Sequence, residues 1–251
     1  MPFTPEDVKA VADIIKNSKY LVAFTGAGIS TESGLPDYRG PDGVWTRRDL
    51  GLPPPKSKQP MELTEPNPGH LALVKLYQIG ILKFVISQNV DNLHLKSGIP
   101  KEKITELHGN YTLLNCLECD SRFSKNEMGW EDEKHGKGYR TEKTRSGQPP
   151  CPRCKGRLIS SVVNFNDPMP EREMQESEEQ SRRCDVMFVI GSSLSVFPAA
   201  NFPVMAKQLG SQLIILNEGK TALDEVADVR IDAKSGVFLP LVIEEITSSN
   251  F

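Results

Sequence analysis

The stretch Tyr20–Trp45, YLVAFTGAGISTESGLPDYRGPDGVW, decides how this chain is read. Its apolar opening, Tyr20 to Phe24, is long enough for one buried strand. Gly26-Ala27-Gly28 follows at once, with Ser30 and Thr31 behind it. Glycines let the backbone turn sharply and come close to a bound group. Where a strand ends and a helix begins, that geometry suits a pyrophosphate. Thr31 stands where a dinucleotide fingerprint usually has its third glycine, so the G-x-G alone is a weak signal. Asp37-Tyr38-Arg39 strengthens it by placing a carboxylate, an aromatic ring and a guanidinium in a Pro/Gly-rich loop.

On the N-terminal side, Thr4-Pro5-Glu6-Asp7 predicts a helix start, with Thr4 as cap, Pro5 at the first helical position and Asp7 at capping-box spacing. Val8, Val11, Ala12 and Ile15 line one face of that helix. On the C-terminal side, Gly40 to Pro68 carries Pro53-Pro54-Pro55 and is too long for an idle connection, so a functional loop is expected. Trp45 within it either covers a ligand or anchors the loop to the core. Asn67-Pro68 opens a helix from about His70 to Gly80, with Leu71, Val74 and Leu76 available for burial and His70 in a structural role.

Two further apolar runs end in polar clusters. Ile81 to Ser87 leads into Gln88-Asn89-Val90-Asp91-Asn92-Leu93-His94, which reads either as a turn or as a site, because ligand groups gather at the carboxyl ends of strands in open α/β sheets. Ile104 to Leu107 leads into His108-Gly109-Asn110, where an imidazole facing a cleft can serve as a general base near neutral pH.

Cys116-x-x-Cys119 and Cys151-x-x-Cys154 flank the 31 residues from Asp120 to Pro150. Two such knuckles suit a tetrahedral zinc whose four thiolates leave no position for water or substrate, so the ion would hold the fold and do no chemistry. The alternative is two surface thiol pairs without metal. Cys184 reads as a small buried hydrophobe, and His135 in the polar insert as solvated. Ser161-Val162-Val163 has strand character, and Asn164 to Pro170 must be loop. The apolar pair Val162-Val163 followed by Asn164 and Phe165 reads either as a slot for an extended ligand or as an ordinary strand end. Glu171 to Arg183 is a polar helix with a solvated face.

From Cys184 onward strands and helices alternate. Val186–Ile190 exits through Gly191-Ser192-Ser193, Gln212–Leu216 exits through Asn217-Glu218-Gly219, and Val229–Ile231 is a short strand. A helix from Pro198 to Leu209 is expected to bend at Pro203, and a last helix, Ser235 to Ile246, to be capped by Ser235. The alternation implies a parallel sheet with helices on both faces, its exits on one edge with Gly26–Gly28.

The 251 residues suit one large domain, or one with a small insert. A net charge of −3 gives no pull toward nucleic acid or membrane. No apolar run approaches the roughly 20 residues of a membrane span. The N-terminus lacks the basic and apolar regions of a signal peptide, so a cytoplasmic setting with reduced thiols is expected.

Taken in order, GAGIS (Gly26–Ser30), PDYRG (Pro36–Gly40), QNVDNLH (Gln88–His94), ELHGN (Glu106–Asn110), the paired C-x-x-C, GSS (Gly191–Ser193) and LNEG (Leu216–Gly219) resemble the sirtuin family over nearly the whole chain. GPDGVW after Arg39, and NFNDPMP in place of the usual phenylalanine-glycine-glutamate loop, look more like its class IV branch. Tyr38, Asn92 and Ser192 depart from the common phenylalanine, glycine and threonine.

The resemblance implies a Rossmann-like NAD-binding domain (1–40, 70–110, 159–251), a cofactor-covering loop (41–69) and a zinc module (111–158). It implies NAD-dependent removal of acyl groups from lysine in protein or peptide substrates, giving nicotinamide and O-acyl-ADP-ribose. It makes His108 the base and has Asn89 and Asp91 hold nicotinamide and ribose. Gly26, Ala27, Gly28 and Thr31 would face the pyrophosphate. Tyr38 would shield the reactive carbon from water, Arg39 would offer its fork to phosphate or ribose, Trp45 would cover NAD, and Gly191, Ser193, Asn217, Gly219 and Lys234 would hold the adenosine half, with Asp37, Gln88, Ser192 and Glu218 as further cofactor contacts. Val163, Asn164 and Phe165 would meet the acyl-lysine peptide. Two rivals remain: a protein mono-ADP-ribosyltransferase using the same pocket, and a non-catalytic NAD-sensing or zinc-ribbon module.

Overall fold

Leu21–Thr25 is buried along its whole length. In the computed structural model, which describes residues 3–248, it is an inner strand of a six-stranded parallel sheet. In chain order the elements are α1 (Pro5–Asn17), β1 (Leu21–Thr25), α2 (Val44–Asp49), α3 (Pro68–Gln78), β2 (Leu82–Ser87), α4 (Leu93–Ser97), β3 (Ile104–Glu106), β4 (Leu113–Cys116), β5 (Arg122–Ser124), α5 (Asp132–His135), β6 (Leu158–Ser160), α6 (Glu171–Arg183), β7 (Val186–Ile190), α7 (Asn201–Gln208), β8 (Gln212–Leu216), β9 (Val229–Ile231) and α8 (Ser235–Ser248). The large sheet runs β3-β2-β1-β7-β8-β9.

Successive strand residues point to opposite faces, and two cores result. Leu21 and Ala23 join Phe188, Ile190, Ile214 and Leu216 beneath α1, α3 and α8. Val22 and Phe24 join Met187, Val189, Leu213 and Ile215 beneath α7. Burial on both faces is why these strands are apolar runs rather than alternating ones. The expected capping box at α1 forms: Asp7 N–H donates to Thr4 Oγ1 at 3.2 Å, and Thr4 N–H to Asp7 Oδ2 at 2.7 Å.

Several expectations shift. The segment 41–69 is not all loop, because Val44 N–H and Trp45 N–H donate to Asp37 O and Tyr38 O at 2.9 Å each and launch α2. In α3 Val74 and Leu76 are buried as expected, together with Gly69, His70, Ala72 and Leu73, but Leu71 is 53% exposed. The helix expected from Pro198 begins only at Asn201, so Pro203 does not interrupt it. It is the third residue of α7, in the first turn, where its missing N–H has no partner to lose. Ser235 is the first residue of α8 rather than its cap, and Glu32 instead accepts from Gly236 N–H at 2.6 Å. The strand leading to the substrate segment is Leu158–Ser160, and Ser161–Val163 lies beyond it. There Val163 N–H donates to His108 O at 2.9 Å. One side of α6 is buried, through Glu173, Ser177, Gln180 and Ser181.

The second sheet, β5-β4-β6, is antiparallel and three-stranded. Its core is Leu114, Cys116, Trp130, Cys151 and Leu158. His135 is buried here, not solvated: α5 folds it against Trp130, ring centroids 5.4 Å apart, and its Nδ1 accepts from Glu131 N–H at 3.0 Å.

Candidate active site

The strand order reverses between β1 and β7, and a ligand crevice in an open α/β sheet lies outside the carboxyl ends of the strands at such a point. Gly28 N–H donates to Gly191 O at 2.8 Å, and Gly26 N–H to Ile190 O at 3.1 Å. A Cβ on Gly26 would lie 2.7 Å from Gly191 O, and one on Gly28 2.7 Å from Gly191 Cα. Gly191 itself has φ +63°. The glycines are therefore required first by the approach of two strand exits to each other, a constraint the sequence reading had assigned to a ligand. Beside them opens a cleft lined by Gly28, Thr31, Asp37, Gly191, Asn217, Glu218 and Lys234. Ala27 begins the 3-10 turn that carries Thr31. The Asn217 amide donates to Glu218 O and Gly219 O at 2.9 and 3.1 Å and fixes its own turn. Ser193 Oγ pairs with Ser195 Oγ at 2.9 Å, and Lys234 is exposed at the rim.

The exits of β2 and β3 meet the same crevice. Gln88 Nε2 donates to Ser192 Oγ at 2.8 Å and Thr25 O at 3.3 Å, and Asn89 Nδ2 donates to Gly26 O at 3.2 Å. The His108 ring lies 2.8 Å from Gln88 O through Nδ1. His108 and the first glycine turn are thus linked through two neighbouring residues, Gln88 and Asn89. A carbonyl can only accept, so Nδ1 carries the proton and Nε2 is the basic nitrogen. Burial lowers the imidazole's pKa, partly offset by that backbone bond, which keeps the ring neutral at pH 7. Burial raises the Asp91 carboxyl against the Ser30 hydroxyl and Leu93 N–H, which donate to it at 2.6 and 2.9 Å.

An aromatic cluster joins the segments that follow β1 and β6. Trp45 lies 5.0 Å from Tyr38 and 5.5 Å from Phe165 between ring centroids, and the Arg39 guanidinium sits 4.9 Å from the Trp45 ring. Arg39 also pairs with Asp49 at 2.8 Å. Phe165 is 71% exposed. Asn164 is exposed too, its N–H donating to Asp167 at 3.1 Å. The Asp37 carboxyl is raised by burial, countered by the Gly40 N–H that it accepts at 3.0 Å.

Cys116, Cys119, Cys151 and Cys154 bring their sulfurs within 4.8 Å of one another, with 3.4 Å between 116 and 154 and 3.7 Å between 119 and 151. Zinc–sulfur bonds of about 2.3 Å in a tetrahedron put sulfurs about 3.8 Å apart. The donor set and its spacing fit zinc, and the alternative of separate surface thiol pairs fails.

Sequence reasoning missed Ser30 as a hub: it donates to Asp91 and accepts from Asn89 Nδ2 at 3.3 Å. It also missed the pairing of His94 with Thr25 Oγ1 at 2.8 Å and with the His70 ring at 5.0 Å, both histidines being buried. No local pattern announces a contact between residues 69 positions apart in the chain.

The Sir2 family model matches residues 54–198. NAD-dependent protein deacylase 2 of Archaeoglobus fulgidus is 36% identical over 96% of this chain and 96% of its own length. NAD-dependent protein deacetylase SRT1 of Arabidopsis thaliana is 40% identical over 89% of this chain, which spans 46% of that longer relative. A solved Sir2 with p53 peptide and NAD+ superimposes with a TM-score of 0.74 at 31% identity, covering 95% of this chain and 98% of that one. Sir2Af2 bound to a myristoylated histone peptide gives 0.70 at 33% identity, covering 98% of this chain and 99% of that one.

Proposed function

The chain belongs to the Sir2 family, and from that membership we propose that it removes acyl groups from protein lysine side chains with NAD, releasing nicotinamide and O-acyl-ADP-ribose. Bound NAD supplies the ribose carbon that the acyl oxygen attacks as nicotinamide departs. His108 Nε2 takes the proton from a ribose hydroxyl. Asn89, Asp91 and Gln88 hold nicotinamide and ribose, while Gly26, Ala27, Gly28 and Thr31 face the pyrophosphate. Asp37 borders the same cleft, and Arg39 offers its fork to phosphate or ribose once it leaves Asp49. Tyr38 and Trp45 keep water from the reacting carbon. Gly191, Ser192, Ser193, Asn217, Glu218, Gly219 and Lys234 take the adenosine half. Val163, Asn164 and Phe165 receive the acyl-lysine peptide as an added strand.

The domain limits 1–40 with 70–110 and 159–251, 41–69, and 111–158 belong to the same reading. So does the class IV assignment, which stands on GPDGVW and NFNDPMP. A reducing cytoplasmic setting keeps the four thiols available for zinc. Among the described residues no helix is long and apolar enough to cross a membrane.

The observation that carries the proposal is the His108 tautomer: Nδ1 committed to Gln88 O, Nε2 left basic, the ring neutral at working pH. Mass spectrometry of products from NAD and a panel of acetyl-, succinyl- and long-chain-acyl-lysine peptides tests it. Nicotinamide and O-acyl-ADP-ribose should appear only with acylated peptide. ADP-ribose attached to protein with the acyl group intact would favour the transferase instead. His108→Ala should lower kcat by about 10²–10⁴-fold with NAD binding kept.

A further inference from the structure

Glu106, the last residue of β3, is 8% exposed and stands two residues before His108. Its carbonyl accepts Gly109 N–H at 2.9 Å, closing the turn that holds His108. Its Oε1 accepts from Asn110 Nδ2 at 2.7 Å. Asn110 is fully buried, and every polar atom of its side chain is used. Oδ1 accepts from Thr112 N–H and Oγ1 at 2.9 and 2.7 Å, and Nδ2 also donates to Asn92 Oδ1 at 2.8 Å. Thr112 N–H can only donate, so the amide cannot be reversed, and Nδ2 must face Glu106. The Asn110 backbone is clamped by Ser161, whose Oγ accepts from Asn110 N–H at 3.0 Å and donates to Asn110 O at 2.7 Å. On the other side, Glu106 N–H donates to Glu173 of α6 at 3.4 Å, and Glu173 pairs with Arg122 of β5 at 2.6 Å.

We propose that Glu106 is a positioning residue for His108: its buried carboxyl, through Asn110, sets the turn presenting the imidazole, and its backbone ties that turn through Glu173 and Arg122 to the zinc-bearing sheet. The proposal rests on His108 being the base. Two consequences separate it from simple packing: kcat falls while KM for NAD holds when the carboxyl is removed, and an amide at 106, which still accepts from Asn110, restores it. The charged groups facing Glu106 are Glu173 from α6, Arg122 from β5 and Asp91 from the loop after β2. Burial, reinforced by Glu173, lifts the carboxyl to about 7 against the Asn110 bond. His108 titrates below 6.5, where Glu106 is largely neutral, so Glu106 acts on the imidazole through the Asn110 bond and the turn rather than through charge. Because the folded pKa exceeds the unfolded one, ionisation of Glu106 costs stability as pH rises from about 4.5 through 7.

The test is an NMR titration of the His108 ring, which needs no turnover, together with kcat against pH. In Glu106→Gln the acceptor for Asn110 remains and the charge is gone. The His108 titration should stay within about 0.2 pH unit and kcat within about twofold of wild type, and thermal stability should rise above pH 7 but not below 4.5. In Glu106→Ala the Asn110 amide loses one of its two acceptors, so the His108 ring signals should shift and kcat should fall by about tenfold or more with KM for NAD within about twofold. A kcat loss in Glu106→Gln as large as in Glu106→Ala, or wild-type kcat in Glu106→Ala, overturns the proposal. If the alanine variant does not fold, Glu106→Met, which fills the space without an acceptor, takes its place. Absence of acyl-dependent turnover in the wild type, with the His108 ring signals displaced in Glu106→Ala and kept in Glu106→Gln, would instead strike the proposed function and leave the link from Glu106 to His108 standing.

Discussion

The two sheets of this protein are held by different physics. The parallel sheet carries strands such as β1 and β7 that are buried at every residue, between helices on both faces. The antiparallel sheet has strands of three or four residues and a core of five buried side chains, two of them cysteines. Burial of apolar surface suffices for the first. The second is too small to be stable on that account and depends on four thiolates meeting at one point. The candidate active-site edge belongs to the first sheet, yet Ser161, after β6 of the second, clamps the backbone at Asn110, and Val163 N–H donates to His108 O. The metal can thus matter to catalysis without touching substrate.

Metal removal tests that contrast most severely. Structural zinc contributes about 10–16 kcal/mol in small peptides at neutral pH. We expect one zinc per chain by elemental analysis. Chelation or Cys151→Ala should expose the amides of residues 111–158 to hydrogen exchange and abolish turnover, while β1, β2, β7 and β8 stay protected. Full activity without metal and with an unchanged exchange pattern would erase the distinction. Next is Phe24→Ala, a fully buried ring in the parallel sheet. Denaturant unfolding should show a loss of about 3–5 kcal/mol with zinc content unchanged.

Acid should weaken the parallel-sheet domain through its buried histidines. Burial lowers His94 to about 4, and burial with the neighbouring His94 lowers His70 well below its usual range. The unfolded chain binds protons below about 6.5 that the folded one refuses, so stability falls as pH drops from 6.5 toward 4. His94 alone accounts for about 3 kcal/mol of that fall. Because Glu106 acts in the opposite direction between pH 7 and 4.5, the check is made in Glu106→Gln, where a stability that stays flat between pH 7 and 4 would remove these two rings from the account. The smallest effect expected is at the edge of the same sheet's helical layer. Thr4→Ala removes the α1 cap and should cost about 1 kcal/mol, read as a small shift in midpoint.

The strand exits and cysteine pairs that make up the candidate sites could be read before any coordinates. Strand exits, glycines and the spacing of the cysteines are local signals, and each names its residues directly. Less legible were positions fixed by contact across the chain. Leu71 is exposed because the face of α3 packed into the core runs through Ala72, Leu73 and Leu76. Ser30 reads as one more small residue until Asn89 and Asp91 are placed on either side of it. His135 looks solvated in a polar insert until Trp130 covers it.

By itself the amino-acid order determined the apolar strand runs, their polar exits and the thiolate pairs, because hydrophobic period and residue chemistry act over a few neighbours. Only the tertiary structure decided which exits meet. It brought Gly191 against Gly28, Gln88 O against His108, and Glu106 against Asn110 within a turn whose backbone Ser161 clamps. Those partners are set by sheet order and by the demand that buried polar groups find one another, and neither is written in any local stretch.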